Sequence, residues 1–407
     1  MCFKTVFVAQ KYRMVYNIVI SIYDLEVSTL GEIYLDNSST TMVCREAADK
    51  VMEMMTENYG NPSSLHTKGF YAEQELTAAR QEIASALGVQ QEEIYFTSGG
   101  TESNNLALFG AAHAMSRRGN HIVTTMIEHP SVINVMKQLE KEGFSVTYLK
   151  PDHCGKIRPE QVFRAVTPRT VLVSMMCVNN EVGSILPLEA VSSAIAAAKA
   201  PALFHVDAVQ AFGKMPIKPG RLKIDLLSMS AHKIHGPKGV GALFLRKGVH
   251  IVPRTYGGGQ EKDIRPGTES APLIAGFGAA VKALPETGFQ LEAMANLSVY
   301  CRERLRGIDG VILNSPDDAL PYIVNFSTGG VRAETMLHYL SSKEIYVSSG
   351  SACSKGKASH VLTAMGLPRE RIASSLRLSF SRYNTTGDID CLVDALRDGL
   401  SKLTKKP

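Results

Sequence analysis

The chain has 407 residues, 44% of them hydrophobic and 20% charged, with a formal net charge of +5. That composition argues against disorder, and the length allows a large core divided over two domains. So small a charge, with Lys and Arg scattered apart from a short Lys402 to Lys406 tail, gives no basis for nucleic-acid binding.

No apolar run approaches the length of a membrane-spanning helix. The seven cysteines (Cys2, Cys44, Cys154, Cys177, Cys301, Cys353, Cys391) are widely spaced and contain no C-x-x-C pair. A disulfide framework or zinc ribbon needs closer, paired spacing, so a reduced, cytoplasmic compartment is expected.

Residues 1 to about 31 carry basic Lys4, Lys11 and Arg13 and an apolar run from Val15 to Ile22. Asn17, Ser21 and Tyr23 interrupt it and no clean small-x-small cleavage site follows, so the segment reads as an extension of unclear role rather than a signal. Ile33-Tyr34-Leu35-Asp36-Asn37 is a short strand breaking into polar residues. Asn58 to Ser64 is a loop by composition. The next helix has Leu76, Ala79, Ile83 and Leu87 on one face and stops at Gly88.

Ile94 to Thr97 reads as a strand, and Ser98-Gly99-Gly100-Thr101 then opens a helix. Glycines at such a turn leave backbone N–H groups and a positive helix end for an anion such as phosphate. His121 to Thr125 is another strand, followed by His129 ahead of a helix. Val171 to Met176 continues the series and leads to Asn179-Asn180-Glu181.

Ala202 to Val206 ends in Asp207, with Gln210 just beyond. Leu226 to Met229 ends in Ser230, His232 and Lys233, before a glycine-rich turn from Gly236 to Gly239. A lone lysine is most often solvated. A carboxylate at one strand end and a lysine at the next, however, suit a pyridoxal phosphate site: the lysine supplies the Schiff base, and the carboxylate keeps the pyridine nitrogen protonated. His232 and His235 have no evident third ligand, so no metal site is expected.

Val240 to Leu245 is one more strand. Nearly wholly apolar strands alternating with helices specify an α/β fold, a largely parallel sheet covered on both faces. Tyr256 to Glu261 and Arg265 to Ser270 form a polar, glycine-rich region, and an amphipathic helix runs from about Phe289 to Arg306. After a strand at Ile345 to Val347, the run Ser348 to Lys357 is small, polar and basic, hence an exposed, mobile loop. Its Cys353 has two lysines close after it, a setting that favours thiolate. Ser375 to Arg382 alternates as a strand, with Arg377 and Phe380 on opposite faces.

HVDAVQAFGK and SMSAHKIHGPKGVGALFLRKG resemble the cofactor segments of fold-type I, class V pyridoxal phosphate enzymes, and most closely those of cysteine desulfurases of the NifS/IscS type. The YLDN entry at Tyr34, the GNPSS-x-H segment ending at His66 and the SGSAC loop around Cys353 extend the resemblance from about Ile33 to about Leu396. It implies a mostly parallel seven-stranded sheet in a large domain over 32–284, whose first segment packs with a smaller α+β domain over 285–407. It implies a homodimer that converts L-cysteine to L-alanine and passes the sulfur, as a persulfide on Cys353, to an acceptor protein.

By the same resemblance Lys233 holds the cofactor and moves the α-proton, and Asp207 stabilises the protonated pyridine. His129 lies over the ring, Gln210 contacts its oxygen, and Asn180 sits near cofactor and substrate carboxylate. Gly100, Thr101, Ser230, His232 and a partner's Thr268 hold the phosphate. Asn37 faces the substrate, and Arg377, with Arg382 as fallback, holds its carboxylate. Between Cys353 and Ser359 the loop is shorter than in scaffold-loading members and lacks their Leu-Glu-Pro run, which leaves the acceptor open: an iron–sulfur scaffold, or a thiouridine or thiamine pathway. The alternatives are a selenocysteine lyase, a class V aminotransferase, or a sulfur-carrying adaptor that has kept the fold.

Overall fold

Short apolar runs, buried at every position in β2 (Ile94–Thr97), β5 (Thr170–Met176), β7 (Leu226–Ser230) and β8 (Gly241–Leu245), belong to one sheet. The computed structural model describes residues 31–349 and 358–403. The N-terminal extension, residues 350–357 with Cys353, and the end of the basic tail lie outside the described residues.

The remaining strands of this sheet are β3 (His121–Thr125), β4 (Ser145–Leu149) and β6 (Leu203–Asp207), preceded in the chain by β1 (Ile33–Tyr34). The seven strands lie in the order β2-β8-β7-β6-β5-β3-β4. From β7 to β4 every pairing is parallel, whereas β8 runs antiparallel to both neighbours. Parallel neighbours need crossover helices, and these cover the two faces. Edge strand β4, with Ser145 exposed, has no counterpart in the sequence reading, because its half-polar sequence lacks the apolar signal of the central strands.

The helix Thr67–Leu87 buries Leu76, Ala79, Ile83 and Leu87 and ends at Gly88, whose φ of 71° is left-handed and comfortable for glycine. It packs on the helix Ala271–Lys282 at a glycine contact. A Cβ on Gly278 would come within 2.5 Å of Ala79 Cα.

The C-terminal part contributes β9 (Ile312–Leu313), β10 (Ile323–Ser327), β11 (Ile345–Tyr346) and β12 (Ser375–Ser379). A three-stranded antiparallel sheet has the order β12-β10-β9, while β11 pairs in parallel with β1. Beyond β1 the chain is sewn to both sheets: Ser379 N donates to Leu35 O at 2.7 Å, Thr41 N to His232 O at 2.9 Å and Cys44 N to His235 O at 2.8 Å. The helix expected near Phe289 spans Thr287–Arg306, whereas the strand expected to reach Arg382 stops at Ser379.

Glu261 pins the glycine-rich region to the edge of the large sheet. It heads a run of left-handed residues, Glu261, Lys262 and Asp263, with φ of 46°, 55° and 64°, which costs free energy in residues that carry a Cβ. The carboxylate meets that cost by accepting from Arg80 Nη1 and Nη2 at 2.9 and 2.8 Å and from Phe96 N at 3.0 Å. Glu261→Ala removes all three bonds and leaves a buried strand amide unsatisfied. We expect a loss of about 3 kcal/mol in denaturant unfolding, with faster proteolysis in the adjoining loop; a variant as stable as wild type contradicts this role.

Candidate active site

Sequential strands β6 and β7 lie side by side, so Asp207 at the end of one and the turn after the other open on the same sheet edge. Strand β7 ends in a single 3₁₀ turn, Ala231–Lys233, which gives Lys233 a fixed place between the strand and the glycine-rich turn. Its Nζ donates to Ser38 O at 2.5 Å and to Ser39 O at 2.6 Å. A cavity of about 360 Å³ lies here, bordered by Lys233, Asp207, His129, Asn180, Gln210 and Arg377. Gly100, Thr101, Ser230 and His232 line it at the helix N-terminus beside β2.

Asp207 is held from two sides. Asn104 Nδ2 donates to Oδ2 at 2.8 Å and Val209 N to Oδ1 at 3.0 Å. Asn104 is buried on the helix Gly100–Met115 and also donates to Ser131 Oγ at 2.9 Å. Sequence reading missed Asn104. Its place four residues after Gly100, on the inner face of the helix that follows the glycine turn, was the available signal.

Buried polar atoms with no hydrogen-bond partner among the described residues include Ser230 Oγ and Asn104 Oδ1, and both residues border the cavity. Orphans of this kind are costly in a folded protein unless a ligand answers them. Gly100 is needed for the shape, since a Cβ there would come within 2.6 Å of Val209 Cγ2 on the cavity wall. Hydroxyl donors at a helix N-terminus, a lysine amine and a carboxylate buttressed by an asparagine therefore fit a phosphorylated, nitrogen-containing ring.

Burial lowers the proton affinity of the imidazoles. It pushes His232 down to about 4, with Lys233 adding to the effect, and lowers His129, where Asp207 opposes it. His129 Nδ1 bonds Ser131 Oγ at 2.8 Å and accepts from Ser131 N at 3.2 Å. Burial also raises Glu181, beside Asn180 on the wall, to about 7, and Glu128 to about 8. Neither carboxyl was singled out in the sequence.

Arg377 is 2% exposed, and Nη1 donates to Asn180 O at 2.9 Å and Nη2 to Asp36 Oδ1 at 2.6 Å. The fallback, Arg382, instead donates to Ala283 O at 2.7 Å and is absent from the cavity wall. Asn37 does not border the cavity either: its Nδ2 donates to Ser379 O at 2.9 Å and to Asn384 Oδ1 at 3.3 Å. The backbone turn it stabilises supplies Ser38 and Ser39 to the wall, which is why the motif lies beside the site while its asparagine does not line it. Thr268 is exposed, beyond the cavity of a single chain.

The Aminotransferase class-V family model matches residues 33–392. The chain belongs to that family, in its cysteine desulfurase group. The cysteine desulfurase IscS of Methanosarcina thermophila is 42% identical over 380 residues, covering 91% of this chain and 92% of the relative. Among solved structures, a NifS-like protein superposes with a TM-score of 0.86 at 38% identity, covering 91% of this chain and 100% of its own. A structure described as SspA in complex with cysteine gives 0.77 at 35% identity, over 87% and 100% of the two chains. Membership of this family implies a pyridoxal phosphate cofactor.

His235 offers a pH test of the frame around the site. Its φ is 65°, its Nδ1 lies 2.9 Å from Met42 O, and burial pushes its pKa down to about 4, against about 6.5 in an unfolded chain. Between those values the unfolded chain binds a proton that the folded one does not, so stability rises with pH across the window and is lost as pH falls through it. Asparagine tolerates a left-handed backbone and takes up no proton. The urea midpoint of His235→Asn should therefore fall less than that of wild type between pH 7 and pH 5; equal falls contradict the assignment.

Proposed function

We propose that this chain is a pyridoxal phosphate-dependent cysteine desulfurase that works as a cytoplasmic homodimer and takes the sulfur of L-cysteine onto Cys353. The observation that carries the reading is that Lys233 and the buttressed Asp207 border one cavity together with the hydroxyl residues Thr101 and Ser230. Bound there, pyridoxal phosphate would supply an electron sink for charge developing at the substrate α-carbon.

Lys233 would hold the cofactor and then carry the α-proton, and its two carbonyl partners keep the amine aimed in both tasks. Asp207 would accept from the ring nitrogen, with Asn104 and Val209 N preventing its rotation. Gly100, Thr101, Ser230 and His232 would hold the phosphate, completed by the partner subunit's Thr268. His232 is neutral at pH 7, so it would donate to phosphate as an imidazole N–H rather than as a cation. Gln210 would meet the ring oxygen and neutral His129 would cover the ring face.

Arg377, oriented by Asp36 and Asn180 O, is shaped for a bidentate carboxylate. With the substrate so held, the Cys353 thiolate attacks its sulfur. An S–S bond forms, the C–S bond breaks, and the β-carbon takes the electron pair and then a proton, leaving L-alanine. Four other cysteines, Cys44, Cys154, Cys177 and Cys301, are held as thiols mainly by burial, with Cys177 and Cys301 pushed up to about 12. The persulfide then passes to an acceptor protein serving iron–sulfur cluster assembly or thiolation. A class V aminotransferase or a selenocysteine lyase would share the same cavity, but a transaminase has no use for the Cys353 thiol.

Cys353→Ser separates the two halves of this chemistry. The variant should retain cofactor and still change colour on addition of L-cysteine, because that exchange needs only the cavity. Release of L-alanine should fall by at least about 10²-fold, since a hydroxyl is a poor nucleophile toward sulfur. Equal alanine production by variant and wild type would remove Cys353 from the mechanism and bring the aminotransferase reading forward.

A further inference from the structure

Two imidazoles that border the cavity, His129 and His360, stand within electrostatic reach of each other, and the reaction above uses only the first. Main-chain hydrogen bonds fix the tautomer of both, because an amide N–H can only donate and a carbonyl can only accept. His129 Nδ1 accepts from Ser131 N, so its ring proton resides on Nε2. His360 Nε2 lies 2.9 Å from Glu128 O and must donate to it, which leaves Nδ1 as a bare lone pair. Burial lowers the proton affinity of both rings, so both are neutral near pH 7. Among the described residues, neither His129 Nε2 nor His360 Nδ1 has a hydrogen-bond partner. Of two side chains that border the cavity, one thus carries a proton on its unpartnered nitrogen and the other a lone pair that can take one.

The second ring is also held in place. His360 opens the short helix His360–Ala364, capped by Ser359 Oγ, which accepts from Leu362 N at 3.1 Å. Because that amide donates, the Ser359 hydroxyl hydrogen is left for the Glu181 carboxyl beside it. Glu181 thus holds the Ser359 cap at the start of the helix, and Glu128 O holds the ring itself. The charged and titratable groups around it are Lys137 on the helix Pro130–Lys141, Glu128 and His129 just before that helix, Glu181 after β5, and Asp207, Lys233 and Arg377 on the other walls.

We propose that His360 is a further catalytic residue: its Nδ1 takes the proton that the ammonium of bound L-cysteine must lose before the amine can act as a nucleophile. One N–H bond breaks on the substrate and one forms on the imidazole, positive charge moves from amine to ring, and no electrons are exchanged. The substrate thiol has no need to surrender a proton, since its hydrogen can leave with the transferred sulfur. This inference rests on the desulfurase reading and deepens it.

His360→Gln tests it, because the glutamine Nε2 can still donate to Glu128 O while an amide takes up no proton. In rapid mixing of the holoenzyme with L-cysteine across the neutral pH range, the first colour change should slow by about 10²-fold, and its acid limb should move up to the ionisation of the substrate ammonium, with cofactor content unchanged. S-methyl-L-cysteine, which keeps the ammonium and lacks the thiol hydrogen, should show the same slowing. In wild-type protein, diethyl pyrocarbonate, which acylates unprotonated imidazole, should modify His360 at pH 7 in peptide maps, and L-alanine should retard it. Unchanged rate and pH profile in His360→Gln, slowing with L-cysteine alone, or a His360 ring inert to the reagent would each overturn the proposal. A wild-type holoenzyme that gives no colour change with L-cysteine would instead overturn the desulfurase reading beneath it.

Discussion

Two main-chain carbonyls, those of Ser38 and Ser39, hold the Lys233 amine, and they come from a segment far away in sequence. That segment leaves β1, which pairs with β11, and is tied to β12 through Leu35 O and Asn37. The amine that defines the site is thus positioned jointly by the large sheet, which carries its backbone, and the C-terminal sheet, which fixes its acceptors. Gln210 joins the same network, donating to Ser38 O at 2.9 Å and accepting from buried Lys214 at 3.3 Å. A buried amine is costly unless hydrogen-bonded or neutral, and burial lowers Lys214 to about 7.

Around that contact the cavity limits its charges to those with a task. Burial leaves His129 and His232 neutral near pH 7 and raises Glu128, so that charge is concentrated on Asp207, Lys233 and the Arg377–Asp36 pair. In a largely buried cavity such charges act at lower effective dielectric than in bulk water, which suits a zwitterionic substrate held by its two ends. The same burial that tunes the imidazoles keeps the structural cysteines as inert thiols.

Strand ends were the legible part of the sequence. Apolar runs broken by Asp207 and by Ser230 to Lys233 announced both the central strands and the chemistry at their ends, because a buried strand tolerates polar residues only where it leaves the core. The glycine turn at Gly100 was equally readable. Asn104, Glu181 and His360 were not, since each gains meaning only from a partner far away in sequence: Asp207, Ser359 and Glu128 O respectively. Asn37 shows the converse. Its motif was visible, yet the structure ties its amide to Ser379 and Asn384, contacts that no local pattern encodes. Edge strand β4 escaped notice because an edge need not be apolar on both faces.

The central claim is that Lys233, held by the Ser38 and Ser39 carbonyls, is the amine that carries the cofactor. Lys214 is the competing amine, buried nearby and linked to the same network through Gln210. Borohydride reduction of the cofactor-loaded enzyme, followed by digestion and mass spectrometry, separates the two directly. The account predicts a single pyridoxyl-bearing peptide with the modification on Lys233, and none from Lys233→Ala. A modification on Lys214, or one that persists in Lys233→Ala, would contradict it.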